Sequence, residues 1–105
     1  MKKVSECLDY LVETDDEYGR LKGELKGLEH RLKATKGVAF IEAKGQGNNE
    51  ERKAVVESCG DVMTMVEILE NKYIEMETIA AKRKTCELII EVWRSQNANK
   101  RVGNI

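Results

Sequence analysis

Lys44-Gly45-Gln46-Gly47-Asn48-Asn49 is the stretch on which the fold turns. Two glycines and two asparagines in six residues are strong turn chemistry, because glycine reaches backbone angles that other residues resist and asparagine caps and bends the chain. Asn49 reads as an N-cap, and Glu50 and Glu51 suit the positive end of a new helix. Working outward in both directions, the sequence is patterned for helix.

Before the turn, apolar and small residues recur at Val4, Cys7, Leu11, Thr14, Tyr18, Leu21, Leu25, Leu28, Leu32, Thr35 and Ala39. The gaps alternate between three and four, the period that keeps one stripe facing a partner helix. A helix of about 40 residues would be roughly 60 Å long. After the turn the pattern resumes at Val55, Cys59, Val62, Val66, Leu69, Tyr73 and Met76, then widens through Ile79, Ala80, Cys86, Ile89, Ile90 and Trp93. Gly60-Asp61 could end one helix and cap the next, or be a glycine tolerated at about 1 kcal/mol; the stripe keeps its phase across Gly60, so a continuous or slightly kinked helix is expected there. The spacing predicts helices over 3–43 and 49–97, a turn over 44–48, and a flexible tail over 98–105.

Two long helices joined by a tight turn make an antiparallel hairpin. With Gly47 at the tip, the numbers of opposed residues add to about 94. Leu32 then faces Val62, Leu28 faces Val66, Leu25 faces Leu69, Leu21 faces Tyr73, Tyr18 faces Met76, and Cys7 lies near Cys86. Charge supports the same direction. Residues 1–19 carry net −4, residues 20–36 net +4, residues 50–77 net −5 and residues 82–101 net +4. Folding at Gly47 lays acidic blocks on basic ones, with Lys33 near Asp61, Lys36 near Glu57, Lys26 near Glu67 and Asp9 near Lys84. Glu17 opposite Glu77 is the misfit. Each exposed pair contributes about 0–1 kcal/mol, so their combined effect is on orientation.

The 105 residues allow one domain at most, and 35% of them are charged, against about 25% in average domains. There is no proline, and the aromatics are one Trp, three Tyr and one Phe. The class expected is therefore all-α: a long antiparallel helical hairpin of coiled-coil type. Ile41, Met63, Met65, Ile68, Ile74, Ile79, Leu88, Ile89, Val92 and Val56 lie off the narrow stripe, and pairing of hairpins into a helical-bundle oligomer, dimer or tetramer, would cover them. No apolar run approaches the roughly 20 residues of a membrane span, so no membrane partner is expected. Three widely spaced cysteines, Cys7, Cys59 and Cys86, fit a reducing, cytoplasmic setting.

No catalytic or metal-binding constellation stands out. His30 is the single histidine, on a charged stretch, and reads as a surface residue. Gly45-Gln46-Gly47 lacks the lysine and preceding strand of a phosphate loop. The expectation is a protein that is not an enzyme and takes no cofactor. Two surfaces qualify as partner sites. Gly19, Gly23 and Gly27 recur every four residues within a helix, where each costs roughly 1 kcal/mol against alanine; a face smoothed for close approach of a partner is the functional reading, tolerated flexibility the plain one. Lys2, Lys3, Arg94, Lys100 and Arg101 gather at the open end of the hairpin beside Trp93, as a nucleic-acid or partner patch. Arg31, Lys33, Lys36 and Lys82-Arg83-Lys84 read instead as partners of the acidic blocks.

Phe40-Ile41-Glu42-Ala43-Lys44-Gly45, followed by Glu51-Arg52-Lys53-Ala54, resembles the turn region of small helical coiled-coil phage proteins encoded near recombination and replication genes. The resemblance spans roughly residues 20–95. It implies a phage origin, a bacterial host cytoplasm and an accessory role in DNA recombination, and it supplies no catalytic residues.

The function expected is a non-enzymatic helical interaction or scaffold protein that docks a protein of DNA recombination or replication. The alternative is a nucleic-acid-binding accessory protein. Near-zero net charge and the lack of an aromatic cluster weigh against DNA, since single-strand binders combine a basic groove with stacking aromatics.

Overall fold

A computed structural model describes residues 3–103. They form three helices, α1 (Val4–Glu42), α2 (Asn49–Glu57) and α3 (Gly60–Gly103), with no strand among the described residues. The protein is all-α, built as a helical hairpin. It divides into two compact units, one of Met1–Arg20 with Met76–Ile105, the other of Leu21–Glu75.

The second unit holds the turn. Gly45 and Gly47 sit at φ 88° and 104°, left-handed backbone that residues with a Cβ resist. A side chain at Gly47 would also run into the carboxyl of Glu51. The N-cap is Asn48, one residue earlier than the sequence suggests: its extended backbone frees the side chain to accept from the Glu51 amide at 2.9 Å. Arg52 then ties α2 to the end of α1. Its guanidinium stacks on the Phe40 ring at 3.8 Å and donates to the Phe40 carbonyl at 2.6 Å, beside the last turn of α1, where helices leave carbonyls unpaired.

The helix after the turn is not continuous. It stops at Ser58 and restarts at Gly60. The Ser58 hydroxyl donates to the Val55 carbonyl at 3.0 Å, the acceptor that the Cys59 amide would use in an unbroken helix. The Cys59 amide turns to Val56 instead, at 3.1 Å, and the Cys59 carbonyl accepts from Met63 to begin α3. The break re-aims α2, so Val56 is buried and Val55, the expected stripe residue, is exposed. At the other end, α3 runs on to Gly103, so residues 98–103 are helical rather than a flexible tail.

Across the second unit, Leu21, Leu25, Leu28 and Val62 are buried along the expected stripe. Antiparallel pairing shows in Lys36–Glu57 at 3.2 Å and Lys72–Glu24 at 3.0 Å. Tyr73, expected opposite Leu21, is partly exposed and donates its hydroxyl to Glu29. In the first unit Cys7, Cys86 and Ile90 form a buried cluster, with Val4, Tyr10, Leu11 and Ile89 packed against it. Of the cross-helix ion pairs expected, Lys36–Glu57 forms. Lys33–Asp61, Lys26–Glu67 and Asp9–Lys84 are not among those of the described residues, because exposed charges gain too little to hold two long side chains together.

Candidate partner-docking surface

The first unit carries the surface of interest. α3 turns Cys86 and Ile90 inward, and a second stripe with the same alternating spacing runs along its outer side: positions 82, 85, 89, 92 and 96, with Leu88 and Trp93 beside it. An open groove of about 730 Å³ follows that stripe between α3 and the start of α1. Val4, Leu88, Ile89, Val92 and Trp93 give it an apolar lining; Lys3, Ser5, Thr85 and Gln96 give it polar ends. Leu88 is 49%, Val92 53% and Trp93 49% exposed. Trp93, which the sequence places on the widened part of the stripe, is thus half-exposed beside this groove.

The opposite flank of the same unit is different in character. Leu8, Leu11 and Ile90 line a smaller depression there, with Glu87, Glu91 and Arg94 around them. The basic patch expected at the open end is thus divided: Lys3 borders one groove and Arg94 the other, while Lys100 and Arg101 lie exposed in the last turns of α3. Lys2 lies outside the described residues.

Between the two flanks sits a polar node that the heptad reading did not find. Arg83 follows Ala80 and precedes Cys86 by three, which places it on the seam rather than the surface. One guanidinium nitrogen donates to the Leu11 carbonyl and to the Thr14 hydroxyl, both at 2.8 Å; the other donates to Asp15 at 2.6 Å. The same group stands over the Tyr18 ring at 5.1 Å. The Thr14 hydroxyl also donates to the Tyr10 carbonyl at 2.7 Å, so the node is anchored in α1. This assigns Arg83 to intrachain pairing and takes it out of any phosphate-binding cluster. Its pairing with Asp15 is of the kind expected between the basic run 82–84 and the acidic first block; its place on the seam was not read.

The glycines make no close contact within the chain. Gly19 and Gly23 are exposed, and a Cβ on either would meet open space; one on Gly27 would meet the Arg31 side chain at 3.7 Å, an ordinary contact. Cys7 and Cys86 come together in the buried cluster as free thiols. His30 is exposed beside Lys26, Glu29 and Lys33 in a shallow depression. Among the described residues no group of His, Cys, Asp and Glu gathers to hold a metal ion, and no helix is long and apolar enough to cross a membrane. Compared with models of known families, with curated proteins and with solved structures, the chain matches none.

Proposed function

We propose that the chain is a non-catalytic helical interaction protein that docks other protein helices. One observation carries this reading: the groove beside Trp93 is built on a helix whose inward face is already satisfied by Cys86 and Ile90, yet its outer stripe exposes Leu88, Val92 and Trp93 together. Contiguous apolar surface of that kind marks interaction sites, whereas single exposed apolar residues do not. A partner from DNA recombination or replication is what the resemblance to phage coiled-coil proteins adds to the proposal.

The competing nucleic-acid reading draws on the same end of the molecule, and salt separates the two. Titration of labelled single- and double-stranded DNA at low and moderate salt should show no binding. Phosphate contacts make affinity fall steeply as salt rises. Tight, salt-sensitive binding that is lost on Lys100→Ala with Arg101→Ala would overturn the interaction reading.

A further inference from the structure

We infer that Cys7 and Cys86 form a reversible intrachain disulfide, made by exchange with a small-molecule disulfide, that ties α1 to α3 beneath the Trp93 groove. This goes beyond the interaction reading and holds whatever partner the groove takes.

Placement comes first. Cys7 on α1 and Cys86 on α3 are both 0% exposed, both free thiols, and share one buried cluster with Ile90. A bridge needs two Cα atoms within about 7 Å, so only cysteines at facing positions of neighbouring elements can close one. Cys7 and Cys86 are such a pair, contributed by the two antiparallel helices of the hairpin to the same cluster. Cys59, the third free thiol, is only partly buried and belongs to the other unit. Val4 and Ile89 pack on the thiol cluster and also line the groove. Each lies three residues from its cysteine, on the same side of its helix. A bridge at Cys7 and Cys86 therefore fastens the two walls of the groove to each other from below.

Access sets the order of events. Both thiols are buried, so an oxidant reaches them through local opening. Cys7 lies in the first turn of α1, and its amide makes the bond that begins the helix, to the Lys3 carbonyl at 3.1 Å. Terminal turns open at the least cost. Cys86 lies well inside α3 and stays covered longer. The Cys7 thiolate therefore attacks first, at one sulfur of the incoming disulfide. Its S–S bond breaks, and the departing half takes a proton and leaves as a thiol. When the turn recloses, the Cys86 thiolate attacks the Cys7 sulfur and expels the other half. The two protein thiols give up two protons and two electrons, and the small-molecule disulfide takes up both to become two thiols. Excess small-molecule thiol runs the exchange backwards. In a reducing compartment such a bridge is transient and redox-sensing rather than a permanent staple.

Glutathione disulfide is the probe, added in excess to the full wild-type chain at low micromolar concentration, near neutral pH and without denaturant. Tryptic peptides 4–20 and 85–94, which carry Cys7 and Cys86, should be recovered joined to each other. The chain should still run as a single chain on a non-reducing denaturing gel, and excess dithiothreitol should part the two peptides again. Cys59 serves as the internal control and should stay out of the bridge, free or carrying glutathione. The bridged chain should unfold at least about 10 °C above the reduced one, because the bridge closes a long loop in the unfolded chain. Cys7 and Cys86 that both stay reduced under these conditions would overturn the inference, leaving two ordinary core residues. Cys7 left holding glutathione would overturn it too, since Cys86 would then be out of reach. A bridge that lowers the unfolding midpoint would do the same, because the folded geometry would be strained by the bond rather than ready for it.

Discussion

Replacement of Arg83 by alanine should cost about 2–3 kcal/mol of folding stability, and the sum can be taken apart. Its side chain is 15% exposed, while that of Asp15, its ionic partner, is 64% exposed. The ion pair therefore forms at the surface end of the node and contributes at most about 1 kcal/mol. Loss of the arginine leaves the Leu11 carbonyl and the Thr14 hydroxyl without their donor from α3. Hydrogen bonds from a charged donor contribute about 1.5–3 kcal/mol each, but the Thr14 hydroxyl keeps its bond to the Tyr10 carbonyl, so the lower end of that range applies. Arg83→Lys keeps the charge and loses the fork that serves three acceptors, for about 1–2 kcal/mol. Asp15→Asn should cost about 1 kcal/mol or less. Urea unfolding followed by far-ultraviolet circular dichroism, at one fixed protein concentration, reads all three. The order Ala, then Lys, then Asn is the prediction. An Asp15→Asn variant as damaged as Arg83→Ala would refute the reasoning, since the exposed carboxylate would then be the stabilising member.

Gly23→Ala should raise stability by about 0.5–1 kcal/mol in thermal unfolding, because the added methyl meets open space and the backbone is helical; a loss would mean that the glycine face is occupied. Gly47→Ala should lower it by about 1–3 kcal/mol, since φ is 104° and the methyl meets Glu51; a neutral result would contradict the turn described. Arg52→Ala should cost about 1–2 kcal/mol through loss of the Phe40 stacking and carbonyl bond, and amide exchange at the end of α1 should quicken more than in its middle.

The fold was legible where the spacing is redundant. All eleven residues of the first heptad run, from Val4 to Ala39, are buried or partly buried, since a long run of threes and fours admits one inward face. The break beside Gly60 was offered by the sequence but not favoured, because the apolar spacing runs in phase across it and the break turns on a single hydroxyl taking one carbonyl. The extent of α3 was underread because Asn97-Ala98-Asn99 lacks apolar period, although helix there needs only continuing backbone bonds. The candidate surface was half legible. Leu88, Ile89 and Val92 stood off the narrow stripe in the sequence, but their union with Trp93 and Val4 into one groove required the placement of α1 against α3. The basic end, by contrast, looked like one patch because residue numbers alone do not say on which flank of a helix Lys3 and Arg94 fall.

Trp93 is the single tryptophan of the chain and lines the groove, so its fluorescence reports directly on whether that groove is covered. The decisive measurement is its emission as single- and double-stranded DNA is titrated in at low salt. The account predicts no change, because the groove takes protein helices and not phosphates. A salt-sensitive change in emission that is lost in Lys100→Ala with Arg101→Ala would contradict it.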